Sequence, residues 1–136
     1  MRLRPLIAAV VAAGLLCAAG LTLELKAQAQ QPPRFLSVLD DLPLMEGLIE
    51  DAGSATVFDT ARGRIVEAFA SGVLKEGRVL AFYDETLPQL GWRWVASGMF
   101  RREGEALSLE FSFRWNSRPG SAPVLTVGFR LMPSGN

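Results

Sequence analysis

Apolar and polar positions alternate most plainly near the C-terminus. From residue 107 to 115 the apolar set is Leu107, Leu109, Phe111, Phe113 and Trp115, and the polar set is Ser108, Glu110, Ser112 and Arg114. The same alternation returns between Leu125 and Leu131. A period of two residues predicts antiparallel strands with one buried and one solvated face. We therefore expect both strands to supply core side chains, Phe113 and Trp115 included.

A helical period precedes these strands, from about Lys75 to Leu87. Its apolar stripe consists of Val79, Leu80, Tyr83, Leu87 and Leu90. These positions follow one face of a helix with 3.6 residues per turn. Pro88 is placed to end or kink this helix, and Gly91 supplies the positive φ of a C-terminal turn.

Shorter strands are predicted on both sides of the helix. They cover residues 55–59, 64–70, 92–95 and 99–102. The resulting order is β-β-α-β-β-β-β. One helix against an antiparallel sheet defines an α+β fold of two layers. We expect this domain to span residues 55–132, followed by a C-terminal tail at 133–136.

The N-terminus has the features of a secretory signal peptide. Two arginines, Arg2 and Arg4, precede an apolar run from Leu6 to Leu23. Ala27-Gln28-Ala29 then provides the small-x-small pattern that signal peptidase recognises. We expect residues 1–29 to form a signal helix cleaved after Ala29, which predicts a periplasmic protein. The alternative is an uncleaved single-pass anchor in the inner membrane with a periplasmic domain.

The segment at 30–54 is predicted to form a polar spacer and an apolar arm. Its apolar residues follow neither a strand nor a helix period, and Pro43 prevents a continuous helix. We expect a turn of helix at 35–39 and extended chain to 49. The arm either packs over its own domain or covers a partner surface, and the sequence leaves both alternatives open.

Composition narrows the possible chemistry. The chain has no histidine, and its one cysteine, Cys17, lies within the signal. The usual general base, zinc ligand and thiol nucleophile are therefore missing from the predicted domain. Acidic and basic side chains nearly balance, so no electrostatic footprint for nucleic acid is present. These observations predict a protein that is not an enzyme and that uses no cofactor or metal.

A resemblance to known proteins rests on the segment FYDETLPQLGW at residues 82–92. A tyrosine-bearing helix that ends in Leu-x-x-Leu-Gly-Trp and enters a strand resembles small uncharacterised secreted proteins of Gram-negative, particularly alphaproteobacterial, bacteria. The resemblance covers roughly residues 40–131 and implies a fold and a compartment but no activity. The helix-to-strand layout is also similar, in architecture only, to the helix-grip domains of an outer-membrane assembly lipoprotein.

Five side chains are candidates for a ligand or partner surface: Tyr83, Trp92, Trp94, Arg62 and Arg64. Gly91 and Trp92 also form a predicted structural corner between helix and strand. Our main hypothesis is a non-enzymatic envelope protein that acts by protein–protein contact, through a sheet edge or the arm, with an envelope protein as partner. It predicts no nucleic-acid partner, and a membrane contact only through an uncleaved signal. The alternative is a module that binds a small apolar or amphipathic ligand between helix and sheet.

Overall fold

The computed structural model describes residues 34–135. The predicted signal segment with its cleavage residues Ala27 and Ala29, and the spacer up to Pro33, lie outside the described residues. In chain order the elements are β1 (Arg34–Leu36), β2 (Leu39–Leu44), β3 (Ile49–Glu50), β4 (Thr56–Thr60), β5 (Gly63–Gly72), α1 (Glu76–Gln89), β6 (Arg93–Ala96), β7 (Met99–Arg102), β8 (Glu105–Arg114) and β9 (Val124–Pro133).

Seven strands form one antiparallel sheet in the order β3-β5-β9-β8-β7-β6, with β4 also paired to β5. Both β3 and β4 lie on the same side of β5, against its C-terminal and N-terminal halves respectively. Helix α1 connects β5 to β6, and the strands β7, β8 and β9 fill the sheet between them. The predicted α+β class and the order β-β-α-β-β-β-β are confirmed for residues 55–132.

The core lies between α1 and one face of the sheet. Helix residues Val79, Tyr83 and Leu87 are fully buried, as the apolar stripe predicts. They face alternate positions of the long strands, which include Phe129 and Leu131. Full burial of a large apolar side chain contributes about 1.5–3 kcal/mol, so this seam is a main source of stability.

The N-terminal arm folds differently from the prediction. The expected helical turn at 35–39 is wrong, because β1 and β2 form an antiparallel hairpin whose turn lies at 37–38. The hairpin buries Leu36, Leu39 and Leu42 in the same core as the helix. In the hairpin, the two strands satisfy each other's backbone hydrogen bonds while the leucines are buried in the core. A helical turn beside Pro43 would not meet both requirements.

The segment after the hairpin joins the arm to the sheet. Leu48 is fully buried, and the short strand β3 pairs Ile49 with Ser71. At Gly72 a Cβ atom would lie 2.2 Å from the carbonyl oxygen of Gly47, so only glycine permits this approach. The arm therefore packs on its own domain.

Two aromatic residues predicted for the core are exposed instead. Phe113 is 48% exposed and Trp115 is 73% exposed, whereas Leu107 and Leu109 on the same face are buried. Both residues lie beyond the end of β7, which pairs with β8 only from Glu105 to Ser108. The second half of β8 has β9 on one side and no strand on the other within the described residues.

Candidate functional site

Tyr83 lies at the centre of the seam between helix and sheet. Its ring makes edge-to-face contacts with Phe82 and Phe129, at centroid distances of 5.0 and 5.6 Å. Its hydroxyl donates a hydrogen bond of 3.0 Å to the carbonyl oxygen of Pro43, which ties α1 to β2. Burial raises the pKa of Tyr83 well above its usual value, and a backbone hydrogen bond with Met45 offsets part of this rise. Tyr83 is therefore a neutral, buried side chain.

Gly91 and Trp92 form the corner that the sequence predicts. Gly91 has a φ of 85°, and the Trp92 amide donates a 3.0 Å hydrogen bond to the Leu87 carbonyl oxygen. The chain thus leaves the helix in a left-handed turn that glycine adopts without strain. Trp92 is only 4% exposed, so its ring is a core side chain.

Arg102 covers the Trp92 ring from the solvent side. Its guanidinium lies 4.3 Å from the ring centroid, donates to the Leu90 carbonyl oxygen and forms an ion pair with Asp41. One cation therefore joins the corner, β7 and the arm. Trp92 Nε1 is the one buried side-chain nitrogen or oxygen of residues 34–135 that has no hydrogen-bond partner. A buried donor without a partner costs about 1–3 kcal/mol.

The other candidates lie apart from this seam. Trp94 is 53% exposed on the edge strand β6, opposite Phe100. Arg64 lies on β5, four strands away from β6, a separation of about 19 Å at the usual strand spacing. The structure thus brings Tyr83 and Trp92 into one core and leaves Trp94 and the arginines outside it.

Arg62 and Arg64 border an open depression of about 370 Å³ at one end of the sheet. Arg64 Nε lies 3.5 Å from a carboxylate oxygen of Glu105, and Glu103 also lines the depression. Arg64 is therefore paired with a carboxylate of the neighbouring turn region. Two carboxylates among two arginines leave little net positive charge for binding an anion.

A second depression of about 370 Å³ lies on the other side of the Glu103-Gly104 turn. It is bordered by Arg93 and Arg101, which are directly opposite each other on β6 and β7. Neither has a carboxylate within 4 Å among the described residues. Like charges directly opposite on neighbouring strands repel, so this pair destabilises the edge rather than strengthening it.

The solvent face of the sheet is held by an ion-pair ladder. Arg130 lies 2.8 Å from Glu67 and 3.2 Å from Glu110, on the strands at either side of it. The hydrogen bond with Glu67, followed by the charges of Glu110 and Glu67, raises the pKa of Arg130. Phe69 covers Gly128 on the same face, where a Cβ would lie 3.0 Å from its ring. This face is therefore occupied by its own contacts.

Strand β4 is the least protected edge of the sheet. All five of its residues are exposed, with Phe58 at 61%. The Phe69 carbonyl oxygen accepts a hydrogen bond from the Asp51 N–H, and the Phe69 N–H donates to the Ser54 hydroxyl. The odd-numbered residues of β5 therefore direct their backbone groups toward the side on which β3 and β4 lie. The β4 residues opposite odd-numbered residues of β5 are bonded to β5. Val57 and Asp59 are opposite even-numbered residues, so their N–H and C=O groups point away from the sheet.

Two features of this surface were missed by sequence reasoning. The predicted strand at 55–59 carried no signal that it lies at an edge, because pairing partners are set by topology. The exposure of Phe113 and Trp115 had a weak signal: the Pro-, Gly- and Ser-rich segment after Trp115 places both at the end of a hairpin.

The part of the chain that the structure describes has no cluster of metal-ligating side chains and no membrane-spanning helix. No three His, Cys, Asp or Glu side chains within residues 34–135 come together in a way that would hold a metal ion. Over the same range, no helix has both the length and the apolar character needed to cross a bilayer.

Comparison with protein-family models, with curated proteins and with solved structures finds no match.

Proposed function

We propose that this protein is a non-enzymatic envelope protein that acts by protein–protein contact through the free edge of β4. The observation that carries the proposal is the exposure of all five β4 residues, whose outward backbone groups pair with no other strand of residues 34–135. An extended segment of a partner that pairs with such an edge gains main-chain hydrogen bonds, and side-chain pockets add specificity. The signal-like N-terminus supports an envelope location, and the partner is therefore an envelope protein.

The other edges give weaker support for strand addition. Strand β6 is short, carries Arg93 and has an irregular register at Val95, and charges and bulges are devices that protect an edge. The half of β8 that lies beyond the end of β7 carries two charged residues, Glu110 and Arg114, and these charges likewise protect that edge. In β4 the only charged residue is Asp59, and the pairing with β5 is regular over all five positions. The arm, which was the second candidate surface, is engaged in its own core.

The test uses Val57, whose backbone N–H points away from β5. Val57→Pro removes this outward donor and leaves the β4–β5 hydrogen bonds in place. Val57→Thr is the matched control, because it changes the side chain and keeps the N–H. Each tagged variant is expressed in its native envelope at the wild-type level, and bound proteins are recovered after cross-linking.

Loss of one stoichiometric partner in Val57→Pro, with retention in Val57→Thr, is the expected result. A partner that binds Val57→Pro as well as wild type would exclude this edge. A monomeric wild-type protein with no partner would shift the proposal to the ligand-binding module, which native mass spectrometry of the purified protein tests directly. The seam gives that alternative little support, because Tyr83 and Phe129, whose rings meet at its centre, are fully buried.

A further inference from the structure

One end of the sheet, formed by Gly72, Leu125 and Phe113, carries exposed apolar side chains. These three residues lie side by side on β5, β9 and β8. Three large apolar side chains that belong to or directly follow these strand ends are at least two-fifths exposed: Val73, Phe113 and Trp115. We call this surface the apolar end. A concentration of exposed apolar side chains at one place marks an interaction surface.

The β8–β9 hairpin projects from the apolar end beyond its neighbours. Strand β7 pairs with β8 only as far as Ser108, and β5 pairs with β9 only as far as Leu125, so the Arg114–Val124 pair and the loop at 115–123 extend beyond both neighbouring strands. Trp115 and Phe113 lie at this tip beside two exposed arginines, Arg114 and Arg118. No acidic residue occurs in the sequence after Glu110. Neither arginine has a carboxylate within 4 Å among residues 34–135, so the tip combines aromatic rings with unpaired positive charge.

We infer that the tip of the β8–β9 hairpin is an interfacial anchor that docks on an anionic lipid surface. Tryptophan is enriched where membrane meets water, because its ring is apolar and its N–H is polar. Arginines at such a surface are attracted to anionic headgroups. Phe113 and Trp115 enter the headgroup region, while Arg114 and Arg118 bind lipid phosphates. This surface is separate from the β4 edge, so either proposal can fail alone.

The test is tryptophan quenching by lipid in the full chain. The protein is mixed with phosphatidylglycerol vesicles whose acyl chains are brominated, which quenches tryptophans at the membrane. Trp115→Phe is compared with Trp94→Phe, the matched control, because Trp94 is similarly exposed. Trp94 is opposite Phe100 on β7, and Phe100 is opposite Leu107 on β8. Leu107 lies six residues from Phe113 along β8, a distance of about 20 Å.

Quenching in wild type and in Trp94→Phe, and a loss of at least half of it in Trp115→Phe, is the expected result. Equal quenching in Trp115→Phe and wild type, or no quenching in wild type, would overturn the inference. Circular dichroism confirms that each variant is folded.

The contribution of Arg114 and Arg118 to lipid binding is tested by a change of lipid charge and by removal of both arginines. Each cation near an anionic surface contributes about fivefold to partitioning. We therefore expect the Trp115-dependent quenching to fall in phosphatidylcholine vesicles, and in the double variant Arg114→Gln, Arg118→Gln on phosphatidylglycerol vesicles. Equal quenching on both lipids would overturn the assignment of anionic headgroups as the partner.

Discussion

Trp92 is the residue whose removal the structure predicts to cost most at the helix-to-strand corner. Its ring is almost fully buried and is covered by the Arg102 guanidinium at 4.3 Å. Truncation of a buried tryptophan to alanine costs about 3–5 kcal/mol, and loss of the cation–π contact is included in that figure. For a total stability of about 5–15 kcal/mol, Trp92→Ala removes at least about a fifth of it.

The assay is urea denaturation of residues 30–136, followed by circular dichroism. With an m-value of about 1–3 kcal/mol/M, a loss of 4 kcal/mol shifts the midpoint by about 2 M. Trp94→Ala is the control at a half-exposed position of the same residue type, and we expect a loss below about 1 kcal/mol there. A loss below about 1 kcal/mol in Trp92→Ala, or equal losses at both positions, would refute core burial of Trp92.

Trp92→Phe separates the ring from its polar group. The smaller ring loses some packing, but the variant also removes the unpartnered Nε1–H, whose burial costs about 1–3 kcal/mol. We expect the two effects to offset each other to within about 1.5 kcal/mol. A loss as large as that of Trp92→Ala would show that the indole N–H has a partner in solution.

Further predictions concern the buried tyrosine and two glycines. Burial raises the folded-state pKa of Tyr83, so stability is fully present below the unfolded-state pKa of about 10 and falls as pH rises above it. Tyr83→Phe should remove this fall, while losing about 1 kcal/mol at neutral pH from the hydrogen bond to Pro43. A phenolate absorbance that appears near pH 10 in the folded protein would contradict it, and Tyr83 is the only tyrosine in the chain. Gly72→Ala should lower the thermal midpoint strongly, since its Cβ meets the Gly47 backbone, whereas Gly77→Ala, in open space on α1, should gain up to about 1 kcal/mol. Equal midpoints for the two glycine variants would show that the arm does not pack against β5.

Local patterns predicted the elements of the domain well. The helix stripe at Val79, Tyr83 and Leu87 is buried as expected, and Gly91 adopts the positive φ that its position after the helix suggested. The alternation at Leu125–Leu131 is likewise the buried and solvated faces of β9. These predictions are correct because each feature depends only on residues close together in the same segment.

The sequence was less informative wherever distant segments decide the outcome. The arm has no clean period, because its leucines are buried by a hairpin that packs against α1 and the sheet rather than by a regular face of its own. Phe113 and Trp115 continue a correct alternation, yet they lie beyond the end of β7 and remain exposed. A period of two predicts which side chains share a face, and only neighbouring elements determine whether that face is covered.

The sequence by itself determined the elements, their order, the helix-to-strand corner and the absence of histidine and thiol chemistry from the predicted domain. The tertiary structure decided which of these residues meet. It buried Tyr83 and Trp92 in the core, left Trp94 half exposed, and placed β4 at a free edge and the β8–β9 tip beyond its neighbours. The physical reason is that exposure and edge position depend on sheet order and strand length, which are set by contacts between residues far apart in the chain.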